Sequence, residues 1–171
     1  MVNFNTYKLS GSSPVMTADN FNGFFNAVSQ GISTLNGIIT EWKGSNQNVS
    51  YSPQAATSGA RCTEALWVGN IQNFSIILDG FVSSDDYWSD ASSSIKEKVT
   101  AISNLKNKKA TSTSPGNEIS MSEWNTLVDN VSTVLSSAET VFGAKRDAAV
   151  EARNYWHFGD SMPIVLAASA S

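Results

Sequence analysis

Apolar residues recur along this chain at helical spacing. Phe21, Phe25, Val28, Ile32, Leu35, Ile39 and Trp42 alternate steps of four and three residues, a stripe down one face of a helix. Thr17 stands before the stripe as an N-cap and Asp19 complements the dipole in the first turn. Gly44-Ser45-Asn46 closes the run, so a helix over 17–44 is expected. Trp67, Ile71, Phe74, Leu78 and Phe81 repeat the steps, widened by Leu66 and Ile77, and predict a helix over 62–82. Trp88, Ala91, Ile95, Val99, Ile102 and Leu105 share a face between Asp85-Asp86 and the cluster Lys106, Lys108 and Lys109. Acid at the start and base at the end predict a helix over 85–109. Trp124, Val128, Val131, Leu135, Ala138 and Phe142 mark a fourth helix, starting at Ser120 or Ser122 and running through helix-favouring residues to about 156.

The segments between are polar. Residues 45–60 hold no periodic apolar set and read as a long loop. Residues 110–119 turn at Pro115-Gly116. After Gly159, residues 160–171 read as an extended tail, and Met1–Ser10 alternates loosely enough to be its strand partner. The expected fold is mainly α. It is a single domain over 1–171, a four-helix bundle with long heptad-patterned helices and short extended N- and C-terminal segments. The same spacing suits a coiled coil between subunits, and the pattern does not choose between packing within and across chains.

Composition narrows the function. Of 171 residues, 41% are hydrophobic and 15% charged, against about 25% charged in an average globular chain. Ser, Thr and Asn, at 27, 12 and 16 residues, fill the gap. A net charge of −4 speaks against nucleic-acid binding, which takes a basic face. Cys62 is the one cysteine and His157 the one histidine, which excludes a disulfide framework, a thiolate cluster and a multi-histidine metal site. No apolar run reaches the ~20 residues of a membrane span. The first ten residues lack the basic-then-apolar pattern of a secretory signal. The expectation is a packing or assembly protein, not an enzyme, with no cofactor.

The sequence also matches itself. Residues 16–28, MTADNFNGFFNAV, align without a gap on residues 119–131, ISMSEWNTLVDNV, at an offset of 103. Thr17 falls on Ser120, Phe21 on Trp124, Asn22 on Asn125, and Phe24-Phe25 on Leu127-Val128. Met16 or Ile119 can act as a hydrophobic staple, Thr17 or Ser120 caps the first turn, and the aromatic fixes how the helix enters the core. Two well-capped helices could converge on this solution, or one motif is used twice.

Segments of the type Ile-Thr-Ala-x-x-Trp/Phe-Asn-x-Leu-x-x-Ala-Val followed by helical heptads resemble those in virion proteins of bacterial and archaeal viruses. These are tail fibres, tail spikes, neck and adaptor proteins, in which such a segment starts the helix that joins identical subunits. The resemblance covers about 25 residues twice and carries over no receptor-binding or enzymatic residue. It implies a virion structural protein, made in the host cytoplasm, that contacts itself and other virion proteins. The alternative is a cytoplasmic helical adaptor or chaperone-like protein binding one protein partner.

Two groups of residues are candidate subunit interfaces. Gly23, Ala27 and Gly31 lie four apart, off the stripe of the first helix. Interior Gly costs about 0.8–1 kcal/mol against Ala, so a close neighbour should compensate, either another subunit or this chain's own fold. The second group is Tyr155, Trp156 and Phe158 where the last helix is expected to end, with Ile164 and Leu166 in the tail. The candidate chemistry has plainer explanations. His157 has only Asp160 near in sequence, Cys62 beside Arg61 reads as a small buried helix residue, and Asp85, Asp86 and Asp90 read as helix capping.

Overall fold

Three helices of this chain begin in the same way. In the structure, a computed structural model, Thr17 Oγ accepts a hydrogen bond from the Asn20 amide at 3.0 Å. Thr63 Oγ accepts from Leu66 at 3.2 Å, and Ser120 Oγ from Glu123 at 3.1 Å. These caps open α1 (Ala18–Lys43), α2 (Glu64–Ser83) and α4 (Met121–Ala170). Four residues beyond each cap stands a buried aromatic: Phe21, Trp67 and Trp124. The Ser120 amide also donates back to the Glu123 carboxylate at 3.4 Å, completing a capping box. A shorter helix, α3 (Ser93–Asn104), starts at Ser92, whose hydroxyl accepts from Ile95. The structure describes residues 2–12, 15–108 and 118–170, with the side chains of α4 described through Asn154. The chain is mainly helical, with four α-helices and no strand among the described residues.

Ring contacts fix the directions. Near the caps, Trp124 lies 5.0 Å from Phe24 and 6.4 Å from Trp67, and Phe25 lies 6.4 Å from Trp67. At the opposite end, Phe142 lies 5.5 Å from Phe81 and 5.9 Å from Trp42. α1, α2 and α4 therefore run parallel, with their caps at one end. α3 returns antiparallel. It follows Trp88, which is 6.3 Å from Phe142, and ends where the Trp67 indole donates to the Leu105 carbonyl at 2.9 Å. Between the aromatic ends lies an aliphatic middle of Val28, Ile32, Leu35, Ile71, Leu78, Val128, Val131 and Leu135, all buried. Fully burying such a side chain contributes about 1.5–3 kcal/mol.

Each return path lies along the parallel helices. Residues 2–9 descend between α1 and α4 and include a 3₁₀ turn, Phe4–Tyr7. Residues 48–57 descend along α1 and α2. α3 packs on both α2 and α4.

Several expectations change. The third helix begins at Ser93, not 85, because Ser83–Ser92 is rich in turn formers and Ser92 takes the cap. Trp88 and Ala91 are buried all the same, from a turn that mimics helical spacing. The tail expected to extend from 160 to 171 is helical through Ala170. Leu166, Ala167, Ala168 and Ala170 are good helix formers, and the helix continues into them past Gly159 and past Pro163, an interior proline that costs about 3 kcal/mol. The N-terminal segment, left without a strand partner, takes the 3₁₀ turn. The expected linker 110–119 falls largely outside the described residues.

Candidate functional site: asparagine clamps in the interhelical grooves

The long loop is held down by asparagines that read as ordinary polar helix positions. An extended backbone presents an N–H and a C=O to one side. A side-chain amide carries one acceptor and one donor at matching separation, so a single Asn can take both. Asn36 of α1 accepts from the Val49 amide at 3.0 Å and donates to the Val49 carbonyl at 2.7 Å. Asn22 of α1 does the same with Ala56, at 2.7 and 2.9 Å. Asn70 of α2 pairs with Gln54 at 2.8 and 2.9 Å. Between them Ser29 donates to the Tyr51 carbonyl at 3.2 Å. The loop is thus a strap fixed at four levels, with Tyr51 turned inward against Phe74.

The second copy of the motif clamps the second strap. Asn125, the counterpart of Asn22, pairs with both backbone groups of Leu9 at 2.8 and 2.9 Å. Trp124 and Asn20 both donate to the Tyr7 carbonyl, at 2.7 and 3.1 Å. Lys8 reaches Asp129 on α4 at 2.6 Å. In both copies the aromatic fills the core and the next residue holds an extended chain. Thr63 and Trp67 form a third copy of cap and aromatic, with Val68 in the asparagine place.

Gly23 and Gly31 are used within the chain. A Cβ on Gly23 would stand 2.6 Å from the Tyr7 ring, and one on Gly31 would stand 2.8 Å from Leu135. Ala27 is buried. Of the two neighbours considered for this line, the chain's own strap and α4 occupy the space. Tyr155, Trp156, Phe158, Ile164 and Leu166 belong to the last turns of α4, in which side chains are not described.

The polar environment is otherwise modest. Burial opposes ionisation of Glu123, but hydrogen bonds from Lys108 and Ser120 outweigh it and lower its carboxyl pKa. Burial raises the Tyr51 phenol far above its ordinary range, and its hydroxyl is buried without a partner. Cys62 is exposed rather than buried, and partial desolvation raises its thiol pKa. Among the described residues no three His, Cys, Asp or Glu side chains stand close enough to hold a metal ion, and no helix is long and apolar enough to cross a membrane. The side chain of His157 lies outside the described residues.

The two motif copies were visible in the sequence, but the clamps were not. Asn36 and Asn70 were missed altogether. The usable signal is positional: Asn22 and Asn36 are 14 residues apart, about four helical turns on one face. No family model, no curated protein and no solved structure matches the chain.

Proposed function

We propose that this chain is a non-enzymatic structural protein of a virion, a tail, neck or fibre component. In this reading a four-helix bundle with heptad-patterned helices self-assembles and contacts other virion proteins. The observation that carries the reading is the length of α4. It runs 50 residues against 26 for its parallel neighbour α1, or about 75 Å against about 39 Å. From Tyr155 to Ser171 its sequence carries one charged residue, Asp160, among Tyr155, Trp156, Phe158, Ile164 and Leu166. A helix of that composition is stable in water only when packed, and a second copy offers the same surface by symmetry. The repeated helix start and its resemblance to virion segments support the same reading.

The test is solution mass by light scattering, for the full chain and for a deletion of residues 155–171. The expected result is a closed oligomer that the deletion reduces to a folded monomer. A full chain that stays monomeric at high concentration overturns self-assembly. Peptides of this chain should also be found in purified virus particles, and their absence removes the virion assignment. A second reading, a cytoplasmic adaptor or chaperone-like protein binding one protein partner, is favoured by grooves that seat extended chain.

A further inference from the structure

The three grooves between the parallel helices are unequally filled. The α1/α2 groove carries the strap 48–57, and the α2/α4 groove carries α3. Among the described residues, the α1/α4 groove is filled only from Val2 downward. Above it lies a cavity of about 330 Å³ lined by Val2, Gly31, Thr34, Leu135 and Glu139. Further along the same groove a second cavity, about 480 Å³, is lined by Glu41, Arg146, Asp147 and Glu151.

The clamp register says what is missing. On α1 the clamps at Asn22 and Asn36 hold Ala56 and Val49. Fourteen helical residues rise about 21 Å, and seven extended residues span about 23 Å, so strap and helix keep step. On α4 the lower clamp is Asn125 on Leu9. Fourteen residues on, in the place of Asn36, stands Glu139. The described part of the first strap shortens itself in the 3₁₀ turn Phe4–Tyr7 and leaves Val2 beside Gly31 and Leu135, at the edge of the cavity that Glu139 lines.

The substitution of carboxylate for amide selects the occupant. Glu139 accepts hydrogen bonds but donates none. It suits a backbone N–H or a cationic side chain. Glu41, Asp147 and Glu151 continue the acidic side. Arg146 is already paired with Glu41 and Asp147, at 3.5 and 3.0 Å, and Arg153 with the Glu41 carbonyl. We propose that the upper α1/α4 groove, from Gly31 and Thr34 to Glu139, binds an extended segment of a partner protein carrying a lysine or arginine. The inference rests on a different part of the molecule from the assembly reading and stands whether or not α4 associates.

The experiment is amide chemical-shift mapping of the full chain with two pools of synthetic decapeptides. Both pools have the sequence of residues 48–57. One carries a single Lys scanned through the positions, the other a single Glu. The lysine pool should shift the amides of Gly31, Thr34, Ser136 and Glu139, and the glutamate pool should not. Glu139→Gln should weaken the lysine peptides at least tenfold, and so should 0.5 M salt. Equal binding of both pools, no binding at millimolar peptide, or shifts mapping elsewhere each overturn the proposal. Concentration-dependent shifts at these amides without peptide also overturn it, since the occupant would then be a second copy.

Discussion

Asn70→Asp is the sharpest probe of the clamps, because it keeps shape and alters only one donor. Asn70 is 1% exposed and pairs with both backbone groups of Gln54. As a carboxylate the variant still accepts from the Gln54 amide, but it turns a second oxygen toward the Gln54 carbonyl. One hydrogen bond worth about 0.5–1.5 kcal/mol is lost and one part-buried carbonyl is left facing an oxygen at about 1–3 kcal/mol, which puts the deficit at about 2–4 kcal/mol, the middle of the combined range. Burial and the facing carbonyl both favour the protonated acid, so the folded pKa of the new carboxyl lies above its unfolded value of about 3.9. Between those two values the native state binds more protons than the unfolded state. The variant's stability relative to the parent therefore falls as pH rises through that window and stays low above it. Below it, the protonated acid donates to Gln54 and the pair is restored. Urea unfolding followed by tryptophan fluorescence at pH 7 and pH 3 should give a deficit of about 2–4 kcal/mol that shrinks below about 1 kcal/mol in acid. Asn73→Asp on the exposed face of α2 is the control. A deficit independent of pH, or no larger than that of the control, refutes the clamp.

Further expectations concern the caps, the buried phenol and the glycines. Thr63→Ala should cost about 0.5–2 kcal/mol, matching Thr17→Ala and Ser120→Ala; a neutral result would break the likeness of the three helix starts. Tyr51→Phe removes an unpaired buried hydroxyl and should raise stability by about 1 kcal/mol, whereas a loss in thermal unfolding would reveal a partner. Gly23→Ala should loosen the N-terminal strap and speed hydrogen exchange at Leu9, while Gly37→Ala, with nothing within 4 Å of its added Cβ, should gain up to about 1 kcal/mol. Lys108→Ala should raise the Glu123 pKa in an NMR titration, since Lys108 helps hold that carboxyl below its ordinary value; an unchanged titration would place the cause elsewhere.

The helices that pack through an apolar stripe were legible because burial sets the period. α1 and α2 begin and end within two residues of the expected bounds. Direction was not legible, since a stripe reads the same whichever way its neighbours point. The straps were invisible for a different reason. Their partners are helical asparagines, and an amide that pairs with a distant backbone leaves the same trace in sequence as one that faces water. Asn70, almost wholly buried, is where that ambiguity matters most. The start of α3 was misplaced because Trp88 and Ala91 serve the core from a turn. The glycine line left a choice between neighbours that only Tyr7 and Leu135 could decide.

The Asn125–Leu9 clamp joins residues 116 positions apart, and that separation bears on the order of events during synthesis. The N-terminal strap leaves the ribosome well before the side chains that seat it, Trp124 and Asn125, which follow more than a hundred residues later. Until then Phe21, Phe24 and Phe25 have no α4 to cover them. A chain made only as far as residue 120 has the strap 48–57 and its clamps but lacks one wall of the core. Such a chain exposes apolar surface open to chaperones or to premature contact with other chains. Closure is a late event, and distant pairings of this kind slow folding. α4 therefore locks a strap that was made long before it.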